Sequence, residues 1–100
     1  MRRSKKYQDW LIESLKDPKE ARAYLNAAFE ECLNNEPDAP QVFLIALRNV
    51  AEAQGGLAKL AKKTRLGRES LYKTLSEAGN PGLKTLISLL SALGLHVKFF

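Results

Sequence analysis

The sequence predicts an all-α protein, a bundle of about five helices that contains a helix-turn-helix and ends in a short C-terminal β-strand. Three observations support this fold class. Apolar residues recur at helical spacing along most of the 100 residues. Residues that break helices, such as glycine, proline and asparagine, separate these stretches. Only residues 95–100 change to the alternating pattern of a strand.

The first part of the chain is predicted to form an extension in front of the helix-turn-helix. Residues 1–8 are basic and are expected to be flexible, and residues 9–40 form the helical extension. An apolar set from Tyr7 to Leu15 fits either one helix or an extended arm. A second helix is expected to begin at Asp17-Pro18, because aspartate is a good N-cap and proline suits the first helical position.

Residues 41–94 form the predicted helix-turn-helix domain. Its first helix opens at Asp38 and is stopped by Gln54-Gly55-Gly56. The buried face of this helix is predicted to contain Val42, Phe43, Ala46, Leu47 and Val50.

Two short amphipathic helices with a tight turn between them follow, from Leu57 to Leu75. Ala61 offers the small side chain that a close helix crossing needs, and Leu66 fills the corner. Gly67 is an acceptable N-cap for the second helix. This arrangement is a helix-turn-helix, whose second helix reads base edges in the major groove of DNA.

The second helix carries the candidate contacts with bases. Arg68 is the best candidate for a bidentate contact with guanine. Lysines on the preceding helix suit phosphates, where a point charge is sufficient and no sequence is read. The candidate DNA-binding residues are Lys59, Lys62, Lys63, Arg65, Arg68, Glu69, Ser70, Tyr72 and Lys73. Ordinary solvated helix faces would show the same lysines, so this pattern alone leaves that alternative open.

The charge is segregated along the chain, whose net charge is +5. Residues 57–76 hold six basic residues and one acidic residue, whereas residues 9–40 hold eight acidic and three basic residues. A basic face beside an acidic one suggests two partners, a polyanion for the first and a cationic protein for the second. Local helix patterning without any partner can produce the same segregation, so the charge distribution is supporting evidence only.

Composition argues against several other classes of protein. The single cysteine, Cys32, has no partner for an internal disulfide, and one histidine cannot complete a structural zinc site. The sequence has no phosphate-binding glycine loop, no metal cluster and no nucleophile with a base, which are the features that would indicate an enzyme. Neither catalytic residues nor cofactors are therefore expected. No apolar run is long enough to cross a bilayer and no signal core follows the basic start, which favours the cytoplasm.

The end of the chain is expected to form one more helix and the strand. The helix runs from about Leu83 to Leu93, with Leu83, Leu86, Ile87, Leu90 and Leu93 facing inward. The strand at residues 95–100 could pair with the same strand of a second copy, accept an edge from a partner, or fold onto its own domain. His96 is expected on the solvated face of this strand.

Nearly the whole chain resembles the addiction-module antidote proteins, specifically HigA-type antitoxins with a lambda-repressor-like helix-turn-helix of the XRE type. The resemblance is most specific at Arg68 to Lys73, in the Gly79-Asn80-Pro81 loop, and in the Leu93-Gly94-Leu95 ending. It implies a protein that binds and silences a small RelE/ParE-like toxin. It also implies a homodimer that represses the shared operon by binding double-stranded operator DNA.

The sequence departs from the family pattern at the turn. Arg65 stands where the turn often has glycine, and Gly67 stands where a serine or threonine often caps the recognition helix. A stand-alone phage-type regulator without a toxin is the alternative function, and the neighbouring gene distinguishes the two.

Overall fold

The computed structural model describes residues 5–76 and 78–95, and these residues form six α-helices. The helices are α1 (Lys5–Ser14), α2 (Pro18–Leu33), α3 (Ala39–Ala53), α4 (Leu57–Thr64), α5 (Arg68–Thr74) and α6 (Leu83–Ala92). The helices α2 and α3 pack closely along each other, α1 lies against α3, and α4 packs against α3, α5 and α6. The central helix α3 therefore joins the N-terminal extension to the helix-turn-helix.

The N-terminal apolar set from Tyr7 to Leu15 forms a helix, α1, and not an extended arm. It begins at Lys5, so residues 5–8 are helical, while residues 1–4 lie outside the described part of the chain. Leu11 on this helix and Leu15 just beyond its end are buried in the core. The side-chain amide of Gln54 donates to the carbonyl oxygen of Leu15 at 2.8 Å, which satisfies an open carbonyl at the end of this helix.

The ends of α2 follow the local signals in the sequence. The Asp17 carboxylate accepts a hydrogen bond from the backbone N–H of Lys19 at 2.9 Å, which confirms Asp17 as the N-cap. Beyond the last turn, Asn35 adopts a left-handed conformation with φ of 60°, and the Glu36 N–H donates to the carbonyl of Glu31. Asparagine tolerates this conformation, so the chain can reverse there into α3.

A short polar network fixes the three N-terminal helices together. Gln8 on α1 donates to the side-chain oxygen of Asn49 on α3 at 2.9 Å, and the Asn49 amide donates to the Tyr24 hydroxyl on α2 at 3.0 Å. Asn49 is the buried polar residue of this core. Since its donor and acceptor atoms are both engaged, the network stabilises one relative arrangement of the helices.

The hydrophobic core is built mainly from leucines of α3 and of the helices and turns on both sides of it. Leu47, Leu71, Leu75 and Leu89 have no exposed surface at all. Ala61 and Leu66 pack against this core from the helix-turn-helix, as predicted. The core thus extends from α1 to α6 without a break between the extension and the helix-turn-helix.

The predicted fold needs two corrections, in the number of helices and at the C-terminal end. The all-α class is correct, but the chain has six helices, and no strand occurs in residues 5–76 or 78–95. The Leu95 N–H donates to the carbonyl of Leu90 at 2.9 Å, and Gly94, with φ of 73°, donates to Ser91. These bonds cap α6, so the first residue of the predicted strand is committed to a helix end. Residues 96–100, including His96, lie outside the described residues.

Several apolar side chains predicted to be buried are instead exposed. Leu83 and Ile87 on α6 are 74% and 56% exposed, and Val42 on α3 is 50% exposed. Leu33, the last residue of α2, is a further exposed apolar side chain, at 66%. Periodicity identifies the apolar face of a helix, but neighbouring helices cover only part of each face here.

Candidate nucleic-acid interface

The turn between α4 and α5 is held by a residue in an uncommon backbone conformation. Arg65 follows α4 with φ of 61° and ψ of 20°, the left-handed region that glycine adopts most easily. The Thr64 hydroxyl donates to the carbonyl of Leu60 at 2.8 Å and accepts from the Leu66 N–H at 3.4 Å. The turn therefore keeps the geometry that a glycine would give, although arginine occupies the position.

The buried residues at α5 determine which of its side chains are exposed to solvent. Gly67 is the N-cap, with extended backbone angles of −69° and 150°, and it makes no side-chain cap. Leu71 on the helix and Leu75 just beyond it are completely buried. All the predicted contact residues on this helix are exposed, namely Arg68, Glu69, Ser70, Tyr72 and Lys73.

The loop after α5 passes very close to the end of the helix. The Gly79 N–H donates to the carbonyl of Ser76 at 2.9 Å. A β-carbon at Gly79 would collide with the carbonyl oxygen of Thr74 and would lie only 2.8 Å from its carbonyl carbon. The structure therefore favours glycine at this position, which accounts for the first residue of the Gly79-Asn80-Pro81 loop.

The three lysines of α4 do not share one surface. Lys59 and Lys63 line an open groove with Gln54 and the C-terminal end of α6, and the Lys63 ammonium lies 3.5 Å from the carbonyl of Ala92. The exposed residue Lys62 does not line this groove, nor do the contact residues of α5. A lysine side chain is long enough to reach beyond its own helix. Of the three lysines, however, Lys62 is the one that does not lie beside α6.

The α5 surface includes a residue that was not predicted from the sequence. The guanidinium carbon of Arg48 on α3 lies 5.1 Å from the centre of the Tyr72 ring. The Arg48 Nε is also 3.6 Å from a carboxylate oxygen of Glu52, one turn further along α3. An arginine–glutamate pair at i,i+4 is visible in the sequence, but its contact with a tyrosine 24 positions away is not.

The candidate basic residues of the helix-turn-helix keep their charges available. Among residues 5–76 and 78–95, none of them lies within 4.0 Å of a described carboxylate oxygen. Arg65, Arg68 and Lys73 are all exposed. Exposed and unneutralised cations are what a surface needs in order to displace the counterions of a polyanion.

Residues 5–76 and 78–95 contain neither a candidate membrane-spanning helix nor a candidate metal-ligand cluster. No helix among them is long and apolar enough to span a membrane. Within the same residues, no group of three or more histidine, cysteine or acidic side chains is placed to hold a metal ion.

The described residues define a small all-helical protein in which a tight turn joins two short helices, α4 and α5. A family model described as "Probable addiction module antidote protein" matches residues 6–100, and the chain belongs to this family. An uncharacterized protein of Haemophilus influenzae is 34% identical over 88 residues, which cover 88% of this chain and 84% of that protein. No solved structure shows a significant match. The family points to a regulatory protein with an antitoxin role, and it implies a toxin partner.

Proposed function

We propose that this antitoxin also represses its own operon, by binding operator DNA as a homodimer, and that it neutralises a RelE/ParE-like toxin in the cytoplasm. The observation that carries the proposal is the exposed outer face of α5, which is oriented by the fully buried Leu71 and Leu75. The tight turn at Arg65, which packs α5 against α4, supports the reading of α5 as a recognition helix.

The residues of this face have distinct roles in the proposal. Arg68, at the start of α5, makes the bidentate contact with guanine, because N-terminal residues of a recognition helix reach base edges. Ser70, Tyr72 and Lys73 contact bases or adjacent phosphates, and Glu69 shares their surface. Arg65, in the turn, adds a charge next to the backbone of the DNA.

The lysines of α4 are proposed to contact phosphates without reading sequence. Lys62 is the strongest of the three candidates, since Lys59 and Lys63 lie beside the α6 end. Each lysine that reaches a phosphate contributes to the dependence of binding on salt, whatever the sequence of the DNA.

The exposed apolar face of α6 supports the homodimer. Leu83 and Ile87 are one turn apart and largely exposed, and Lys84 is the single charged residue of this helix. An apolar face with so little charge can pack on its own copy without strong repulsion. Two-fold pairing presents two recognition helices to successive turns of the DNA, about 34 Å apart.

The acidic extension supports a basic toxin as the second partner. The eight acidic residues between positions 9 and 40 lie on α1, α2 and the turns that border them, with three basic residues among them. The resemblance to HigA-type antitoxins implies a toxin that acts on RNA or its machinery, and proteins of this kind tend to be basic. A complex whose contacts avoid residues 9–36 would refute this part of the proposal.

Fluorescence anisotropy tests the DNA-binding function directly. The protein is titrated into the duplex upstream of its own gene and into a scrambled duplex, at several salt concentrations. Tight binding that prefers the upstream duplex and weakens steeply with salt supports a specific repressor. Equal, weak binding to both duplexes contradicts it. Co-purification with the product of the adjacent gene separates an antitoxin from a stand-alone regulator.

A further inference from the structure

We propose that Arg48 helps to set the sequence preference of α5 by holding the Tyr72 ring in place, without contacting the DNA itself. Arg48 is thus a positioning residue that acts through Tyr72. This inference rests on the DNA-binding function proposed above, and it concerns a residue on α3, outside the helix-turn-helix.

The geometry at Tyr72 shows why its ring needs support. Tyr72 is 40% exposed, and it stands on the outer side of α5 next to Leu71, which is completely buried. An exposed aromatic side chain on a seven-residue helix can adopt several rotamers. The guanidinium group of Arg48, 5.1 Å from the ring centre, favours one of them through its attraction to the π-electrons of the ring.

Arg48 is itself held by a contact with its own helix. Its side chain is 36% exposed, and its Nε lies 3.6 Å from the Glu52 carboxylate. The helix α3 that carries both residues is anchored by Asn49, the residue next to Arg48, through the hydrogen bonds to α1 and α2. The ring of Tyr72 is therefore positioned by a helix whose own placement is fixed.

A fixed ring contributes more to specificity than a mobile one. If the ring is already in its bound rotamer, binding does not have to restrict its motion, and the bases beside it meet a defined surface. Loss of Arg48 should leave the basic residues unchanged. It should therefore weaken binding to the preferred duplex and leave binding to unrelated DNA as it was.

A double-mutant cycle tests whether Arg48 acts through Tyr72. Arg48→Ala is expected to lower the preference for the upstream duplex about three- to tenfold, in keeping with one cation–π contact, with an unchanged salt slope. In the Tyr72→Ala background the same substitution should have no further effect. Arg22→Ala on α2 removes an equal charge far along the chain and is the matched control.

Arg48→Lys provides a second variant with the charge retained. Lysine lacks the planar guanidinium, so this variant should recover only part of the preference. Three results together would overturn the inference: full recovery of the preference in Arg48→Lys, additive losses in the double-mutant cycle, and a shallower salt slope in Arg48→Ala. They would show that Arg48 binds a phosphate. Thermal melts of each variant establish that it is folded.

NMR of the free protein separates this inference from the DNA-binding proposal. Arg48→Ala should shift the ring resonances of Tyr72, and Arg22→Ala should not. Unchanged resonances overturn the inference even if the protein binds its operator. Wild-type protein that shows no preference between duplexes overturns the DNA-binding proposal, while the ring resonances still report on the contact itself.

Discussion

The side-chain amide of Asn49 donates to the Tyr24 hydroxyl at 3.0 Å, and its oxygen accepts from Gln8 at 2.9 Å. One buried side chain therefore joins α1, α2 and α3. Because Asn49 is buried, removing its side chain would deprive Gln8 and Tyr24 of a hydrogen-bond partner that water replaces poorly.

Substitution of Asn49 should destabilise the whole N-terminal part of the fold. We expect Asn49→Ala to lower the free energy of unfolding by about 1–3 kcal/mol, because both partners lose a hydrogen bond. Urea unfolding followed by circular dichroism measures this change. Asn26→Ala, at an exposed position of α2, is the control and should change stability by less than about 0.5 kcal/mol. Equal effects of the two substitutions would show that the network contributes nothing specific.

The backbone at Arg65 predicts a substitution that stabilises the protein. Arg65 pays the steric cost of a left-handed conformation, which is about 1–2 kcal/mol for a residue with a β-carbon. Arg65→Gly removes this cost but adds entropy to the unfolded chain, so we expect a net gain of roughly 0.5–1 kcal/mol. Arg65→Ala keeps the strain and should give no such gain. A thermal melt that ranks the alanine variant above the glycine variant would contradict this reasoning.

The close approach at Gly79 predicts a strong effect of a single methyl group. Gly79→Ala places a β-carbon against the Thr74 carbonyl, so either the loop or the end of α5 must move. We expect a loss of about 1–3 kcal/mol in the free energy of unfolding. Gly82→Ala is the matched control, since a β-carbon there meets nothing within 4 Å and φ is −69°. A Gly79→Ala protein as stable as the Gly82→Ala protein would show that this loop adjusts freely.

The different roles of Arg68 and Lys62 can be separated by salt titration. Arg68→Ala should reduce discrimination between the upstream and scrambled duplexes by about 1–3 kcal/mol, because it removes a bidentate contact with a base. Lys62→Ala should weaken binding to both duplexes equally and reduce the salt slope by about one. Unchanged discrimination in Arg68→Ala would remove that residue from the proposed reading surface.

The exposed leucine and isoleucine of α6 give a test of the homodimer. Ile87→Glu should shift the protein from dimer to monomer in sedimentation experiments, because it places a charge in the centre of the proposed interface. Its thermal stability as a monomer should change little, since Ile87 is 56% exposed. Leu89→Ala, at a fully buried position, should instead destabilise the fold by about 2–5 kcal/mol. A dimer that persists in Ile87→Glu places the interface elsewhere.

Local signals in the sequence predicted much of this structure. Asp17 and Pro18 start α2, and Gly55 follows the end of α3 with φ of 120°, as a helix-ending glycine does. Such features depend on a few neighbouring residues, so the sequence shows them directly. The outward face of α5 was predictable for the same reason, because the spacing of Leu71 and Leu75 determines it.

The errors concern contacts between residues far apart in the chain. Of the residues predicted to face inward on α6, Leu86, Leu90 and Leu93 pack against the core, whereas Leu83 and Ile87 are exposed. The fully buried Leu89 was not predicted, because which side of the helix its neighbours cover depends on tertiary packing. The alternating pattern after Gly94 suggested a strand, yet the N–H of Leu95 bonds to the end of α6. The pairing of Arg48 with Tyr72 joins two helices and has no counterpart in local spacing.

The separation of acidic and basic residues along the chain has a kinetic consequence. Residues 9–40 carry a net charge of −5 and residues 57–76 a net charge of +5 within one body with extents of 33 × 30 × 26 Å, so we expect the protein to carry an electric dipole. In the field of a nucleic acid such a molecule experiences a torque as well as an attraction. A protein that binds DNA as proposed above would rotate during its approach, with the basic end leading and the acidic end trailing, before any side chain touches a base.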